Sequence, residues 1–209
     1  MKNIFCIIAL GVYFNCMAQT PVLSIFDDRN PRISFAYYKD IYNDYTQFQG
    51  TWIYINGNKS LTITFQKKAM VFIEDPNVSY YQDYLVAGYK YTVNGTELIN
   101  TMNQLSSPSL DVYAYNIRSI DILRSFSVPM CSECSANERR VAMKFSDPTR
   151  TTVLGLSAQL VLRHVIENGV QKIKAILWQD GGVSYILGEE PAYEQFNVPF
   201  GEYTLTKVN

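Results

Sequence analysis

From Gly50 to the C-terminus, apolar and polar side chains alternate along most of the chain. In the run Ser60–Phe65, Leu61, Ile63 and Phe65 share one face while Thr62, Thr64 and Gln66 take the other. A repeat of two residues is the signature of a strand buried on one side. Three Asn-Gly pairs, at 56–57, 94–95 and 168–169, each stand between two such runs. Asn and Gly tolerate the positive φ of a tight hairpin turn, so each pair predicts an antiparallel hairpin. The first joins Thr51–Ile55 to Ser60–Phe65, the second Leu85–Val93 to Thr96–Thr101, the third Ala158–Glu167 to Val170–Trp178. Similar runs at Ala69–Ile73, Val112–Arg124, Arg140–Phe145 and Tyr203–Val208 bring the expectation to nine or ten strands with no strong helix between them.

Hairpins without helical crossovers make an antiparallel sheet, which protects its edges by closing into a barrel or folding into a sandwich. An up-and-down antiparallel barrel over residues 49–209 is the expected fold, with a β-sandwich as the alternative. Residues 19–48 lack this alternation: 19–34 mixes Pro, Asp, Asn and Ser, and 36–48 has room for a short helix. This segment reads as an N-terminal arm.

The first eighteen residues differ from everything after them. Lys2 precedes an apolar run from Ile4 to Phe14, and Cys16-Met17-Ala18 offers small residues at the positions a signal peptidase reads. Eleven apolar residues span about 16 Å as a helix, against about 30 Å of hydrocarbon. The segment 1–18 is therefore expected to be a signal peptide cut between Ala18 and Gln19, releasing a periplasmic or secreted product. The alternative is an outer-membrane lipoprotein acylated at Cys16, where Asn15, Phe14 and Tyr13 replace the small residues such signals carry. No later stretch is long and apolar enough for a membrane helix.

Sixteen Tyr and eleven Phe against 18% charged residues suit β-structure, because Tyr buries its ring and keeps its hydroxyl in water. Loss of Lys2 from the 18 basic side chains leaves 17 against 19 acidic ones. The only basic pairs are Arg139-Arg140 and Lys67-Lys68, so no nucleic acid is expected as a partner.

Cys131 and Cys134 are the only cysteines after the leader, and in an oxidising compartment a Cys-x-x-Cys pair in a Ser/Asn/Glu-rich loop is first a disulfide. Free thiols, metal ligation and redox chemistry remain as alternatives. His164, the sole histidine, shares a strand face with Leu160, Leu162 and Ile166, which makes it a core or rim residue. The acidic pairs Asp27-Asp28 and Glu189-Glu190 point opposite ways on extended chain and read as surface. Nucleophile-elbow, metalloprotease and phosphate-loop motifs are absent from the sequence, so no enzyme, metal or cofactor is expected. The Tyr-rich stretch Ser79–Tyr91 reads either as the rim of a ligand pocket or as a strand of a small barrel.

Phe48-Gln49-Gly50-Thr51-Trp52, at the start of the alternating region, resembles the first-strand motif of lipocalins and other calycins. The resemblance implies that Gly50 and Trp52 close the base of the barrel and that Lys207, on the last strand, caps the Trp52 ring by a cation–π contact. Lys207 stands where those families more often have Arg, and no clear helix precedes the last strand. The whole chain also resembles a group of small exported Bacteroidetes proteins of unknown function, in its Met-Lys-Asn start, its Ala-Gln junction, Phe-x-Gly-Thr-Trp and the closing Leu-Thr-Lys.

A barrel of about eight strands is wide enough to enclose one small molecule. The leading functional expectation is thus a lipocalin-like module for a small apolar ligand, lined by Leu61, Ile63, Phe65, Leu85, Val141 and Phe145. The alternative is a structural or protein-interaction component of the cell envelope whose barrel is filled by its own side chains.

Overall fold

The computed structural model describes residues 20–26, 32–107, 111–184, 188 and 191–208. Residues 1–18, expected to be a leader, with Lys2 and Cys16, and the acidic pairs Asp27-Asp28 and Glu189-Glu190 lie outside the described residues. Among the described residues eleven strands are present: β1 Val22–Ser24, β2 Tyr37–Lys39, β3 Gly50–Asn56, β4 Lys59–Ile73, β5 Tyr80–Val93, β6 Thr96–Asn100, β7 Ile117–Leu123, β8 Arg140–Phe145, β9 Ala158–Glu167, β10 Val170–Gln179 and β11 Gly201–Lys207.

Eight of them close an antiparallel barrel in chain order, β3-β4-β5-β7-β8-β9-β10-β11, with β11 returning to β3 through Thr206–Ile53 and Lys207–Trp52. The second seam joins β5 to β7 through Val86–Arg118 and Ala87–Ile117. The outer edge of β5 is shared by three strands. β2 lies parallel to it at Tyr81 and Gln82, β7 follows, and β6 completes the row from Lys90 to Val93. Gly88 stands at the changeover, because a Cβ there would come within 2.9 Å of the Met102 Cα and the Thr101 carbonyl. The barrel, not the sandwich, is the fold.

Two Asn-Gly corners behave as the sequence predicts. Asn94-Gly95 and Asn168-Gly169 have positive φ at both residues, as a type I′ turn requires. The first corner, Asn56-Gly57, shifts by one residue: Asn56 pairs with Lys59, and Gly57 alone of the two turn residues has positive φ. That is the II′ arrangement, with Gly at the first central position.

Three expectations need correction. Ser60–Phe65 and Ala69–Ile73 are one long strand, bent by a bulge between Lys68 and Val71 with Met70 at φ 53°. The Asp83 carboxylate accepts the Met70 N–H at 2.9 Å, which holds the bulge within the strand. Val112–Arg124 is not strand throughout, since Asp111 accepts the Tyr113 N–H and turns Val112–Ala114 into a 3-10 helix before β7 begins. The arm carries two short strands, and the helix allowed in 36–48 is only a 3-10 turn at Thr46–Phe48. Asp40 binds the N–H groups of Asp44 and Tyr45, and its neighbours are thereby drawn into a tight loop rather than a helix.

The core fills the barrel. Leu61, Ile63, Phe65, Leu85, Val141 and Phe145 all point inward and are no more than 1% exposed. At one end Trp52 is fully buried and donates its indole N–H to the Phe48 carbonyl at 2.6 Å. At the other end Phe196 and Val198, from the segment before β11, are buried, and Phe196 sits 5.8 Å from Phe145, which stacks on Tyr89 at 4.9 Å. Among the described residues no helix is long and apolar enough to cross a membrane.

Candidate functional site

Alternation on β8, β9, β10 and β11 sends Val141, Leu162, Ile173 and Leu205 inward, so their neighbours must face out. Strand pairing then sets the outward residues in two rows. Arg163 stands opposite Lys174, and Lys174 opposite Thr204; one step along, Val161 faces Ile176, and Ile176 faces Glu202. Outward residues of a barrel are normally wet. Here Arg140, Ala142 and Val161 are 2% exposed or less, because the segment between β7 and β8 folds down over them.

That covering segment is held from below. The Arg140 guanidinium donates to the carbonyls of Pro129 at 2.7 Å, Arg124 at 2.7 Å and Ser127 at 2.9 Å. Arg163 binds Glu138 at 2.6 Å and Glu133 at 2.9 Å, and Lys174 reaches the same Glu133 oxygen at 3.1 Å. Cys131 and Cys134 form a disulfide within it. Side-chain hydrogen bonds from Lys174 and Arg163 hold the Glu133 carboxyl below the usual carboxylate range. The Arg163 hydrogen bond does the same for Glu138. Beyond these anchors Phe126, Val128 and Met130 stand 64–76% exposed. Between the loop and the wall lies a cavity of about 260 Å³, with Val161 and Ile176 in its floor and Met130, Arg140, Lys174 and Glu202 around it.

Arg140 is the unusual member. Burial pushes its guanidinium pKa down, and among the described residues its Nε finds no acceptor and no carboxylate forms an ion pair with it. A buried cation hydrogen-bonded only to carbonyls, with Glu138 acting on it from beyond ion-pair distance, is costly to hold.

The residues read as barrel-closing come together at the base. Lys207 Nζ lies 5.3 Å from the centre of the Trp52 ring and donates to Gln171 Oε1 at 3.2 Å. Gly50 takes φ 104°, and a Cβ there would touch the Lys207 stem at 3.6 Å. His164 joins this cluster, its ring edge-on to Trp52 at 6.1 Å and to Phe48 at 6.3 Å. Burial pushes the His164 pKa down, against a hydrogen bond with Gln171 that raises it. The six residues expected to line a ligand chamber are brought together as core. The Tyr-rich stretch divides: Tyr89 and Tyr91 enter the barrel, and Tyr80 and Tyr84 pack outside it, beneath Arg32 and beside Tyr113.

Sequence reasoning missed two groupings. One is the cleft; Arg139-Arg140 drew notice only as a basic pair, although alternation already put Arg163 and Lys174 on outward positions. The other is a buried network in which Asp83 accepts the Tyr37 hydroxyl at 2.5 Å and the Asp40 N–H at 3.1 Å. Lys67 pairs with both Asp40 and Asp83, at 3.0 and 3.3 Å. Burial pushes the Asp83 carboxyl up, but the Tyr37 hydroxyl, two backbone N–H groups and the Lys67 ammonium together hold it below its ordinary value. Every donor in that network comes from the chain itself, so it ties the arm to β4 and β5. Among the described residues no three His, Cys, Asp or Glu side chains gather as a metal ion would need.

A family model described as a family of unknown function, DUF6705, matches residues 1–208, and the chain belongs to that family. No curated protein and no solved structure matches it.

Proposed function

We propose that the mature chain is exported and starts at Gln19. It serves the cell envelope as a non-enzymatic contact protein whose working surface is the outer wall of its barrel. The observation that carries this reading is the state of the interior. The six side chains that would line a ligand chamber are no more than 1% exposed, and aromatic residues stopper both ends. An apolar guest would have to displace side chains packed at interior density, which costs several kcal/mol before any binding is gained. The outer wall, by contrast, carries a cleft and a firmly held apolar loop tip.

A second reading is favoured by the Lys207–Trp52 contact, the feature on which the lipocalin resemblance rests. In that reading the barrel opens to take a small apolar ligand. Native mass spectrometry of protein purified from its own cell envelope separates the two. The contact reading expects the bare chain from Gln19 with its disulfide intact. A stoichiometric apolar molecule retained on the chain contradicts it and favours the container; a diacylated chain from Cys16 moves the protein onto the membrane surface.

A further inference from the structure

The cleft beneath the disulfide loop has a chemical character that narrows what it can hold. Its volume of about 260 Å³ falls just below the roughly 300 Å³ at which pockets for drug-sized molecules begin, so any guest is small. Its floor is apolar, from Val161 and Ile176, with Met130 on the loop side. At its edge lies Arg140, 2% exposed, with a free Nε–H and no contacting carboxylate among the described residues. The neighbouring cations already show their preference: Arg163 and Lys174 share the Glu133 carboxylate at 2.9 and 3.1 Å.

We propose that this cleft binds a small monocarboxylate with a short apolar tail. One carboxylate oxygen accepts the Arg140 Nε–H, Lys174 stands beside it, and the tail lies on Val161, Ile176 and Met130. Arg140 is the group that makes the site. Arg163 and Lys174 make direct ion pairs with Glu133, Glu138 and Glu167, whereas Arg140 is hydrogen-bonded only to loop carbonyls and feels Glu138 from beyond ion-pair distance. Glu202, on the far side, repels a second negative group and so favours one carboxylate over two. A bound acid also couples the loop to the wall, since the carbonyls of residues 124, 127 and 129 hang on the same guanidinium. This inference rests on the reading of the outer wall as the working surface.

Hexanoate is the probe, titrated into the disulfide-intact mature protein and followed by amide NMR, with hexanol and inorganic phosphate as parallel arms. The expected result is saturable shifts confined to residues 130–133, 161–163, 174–176 and 204. Hexanol, without the charge, and phosphate, without the tail, bind more weakly by about tenfold or more. Arg140→Gln is expected to weaken hexanoate by about tenfold. Because Arg140 also holds the loop, Ile176→Trp is the second variant: it fills the floor from β10, leaves the loop hydrogen bonds in place, and should abolish the hexanoate shifts. Absence of saturable shifts, equal response to phosphate, or undiminished binding by Ile176→Trp overturns the inference. Hexanoate shifts that appear instead at Leu61, Leu85 or Val141 overturn the contact reading as well, so the two failures are told apart.

Discussion

The inner and outer faces of β8 to β11 are built from alternate residues of the same strands, and they obey different rules. Inside, Val141, Leu162, Ile173 and Leu205 are apolar and buried, Val141 beside Leu162 and Ile173 beside Leu205 on paired strands. Outside, Arg140, Arg163 and Lys174 are fixed by hydrogen bonds to a loop that has little core of its own. The inner face needs only apolar side chains of about the right size. The outer face needs particular donors at particular positions, because a cation covered by a loop must have each N–H satisfied or remain reactive. Stability therefore resides inside and specificity outside.

Substitutions that act on one face only sharpen this contrast. Trp52→Ala empties the base of the barrel and should cost about 3–5 kcal/mol in urea unfolding, with the whole molecule losing stability together. Asp83→Ala leaves the Tyr37 hydroxyl and the N–H groups of Asp40 and Met70 without their acceptor and Lys67 with Asp40 alone, and should cost about 3 kcal/mol. The same carboxylate sets an acid limit. Its folded pKa lies below the ordinary 3.8, so its contribution is complete above that value and is lost as pH falls through the folded pKa. Asp83→Asn should flatten the stability profile on that acid side.

Cys131→Ser with Cys134→Ser opens a loop of four residues, worth about 2 kcal/mol at most by loop-closure entropy. Hydrogen exchange should quicken over residues 124–138 while the amides of β3, β4 and β5 keep their protection. If the barrel amides quicken equally, the two faces are not separable as described. The smallest effect belongs to His164. Burial lowers its pKa below 6.5, so the folded state disfavours its proton; stability is complete above the unfolded value and falls as pH drops through and below 6.5. His164→Gln should remove that gentle slope near neutral pH.

The same division governs which elements are legible in the sequence. Strands β8 and β9 were legible to the residue, and β10 nearly so, because a buried face imposes strict alternation on Val141, Met143 and Phe145 and on Leu160 and Leu162. The bulge at Met70 was not legible, because it depends on Asp83, a residue on another strand. The arm was opaque for a similar reason: β1 and β2 are three residues each and exist by pairing with one another and with β5. The cleft is the hardest case. Outward Arg and Lys at period two look like ordinary solvated positions until a loop, placed by the same cations, covers them.

The barrel interior is full of its own side chains. Methyl NMR of residues 19–209 under xenon pressure probes that packing, since an apolar chamber large enough for a guest takes up xenon. A filled interior predicts no saturable shift in the methyl groups of Leu61, Ile63, Leu85 and Val141. Saturable xenon shifts at those four residues would contradict it and restore the barrel as a container.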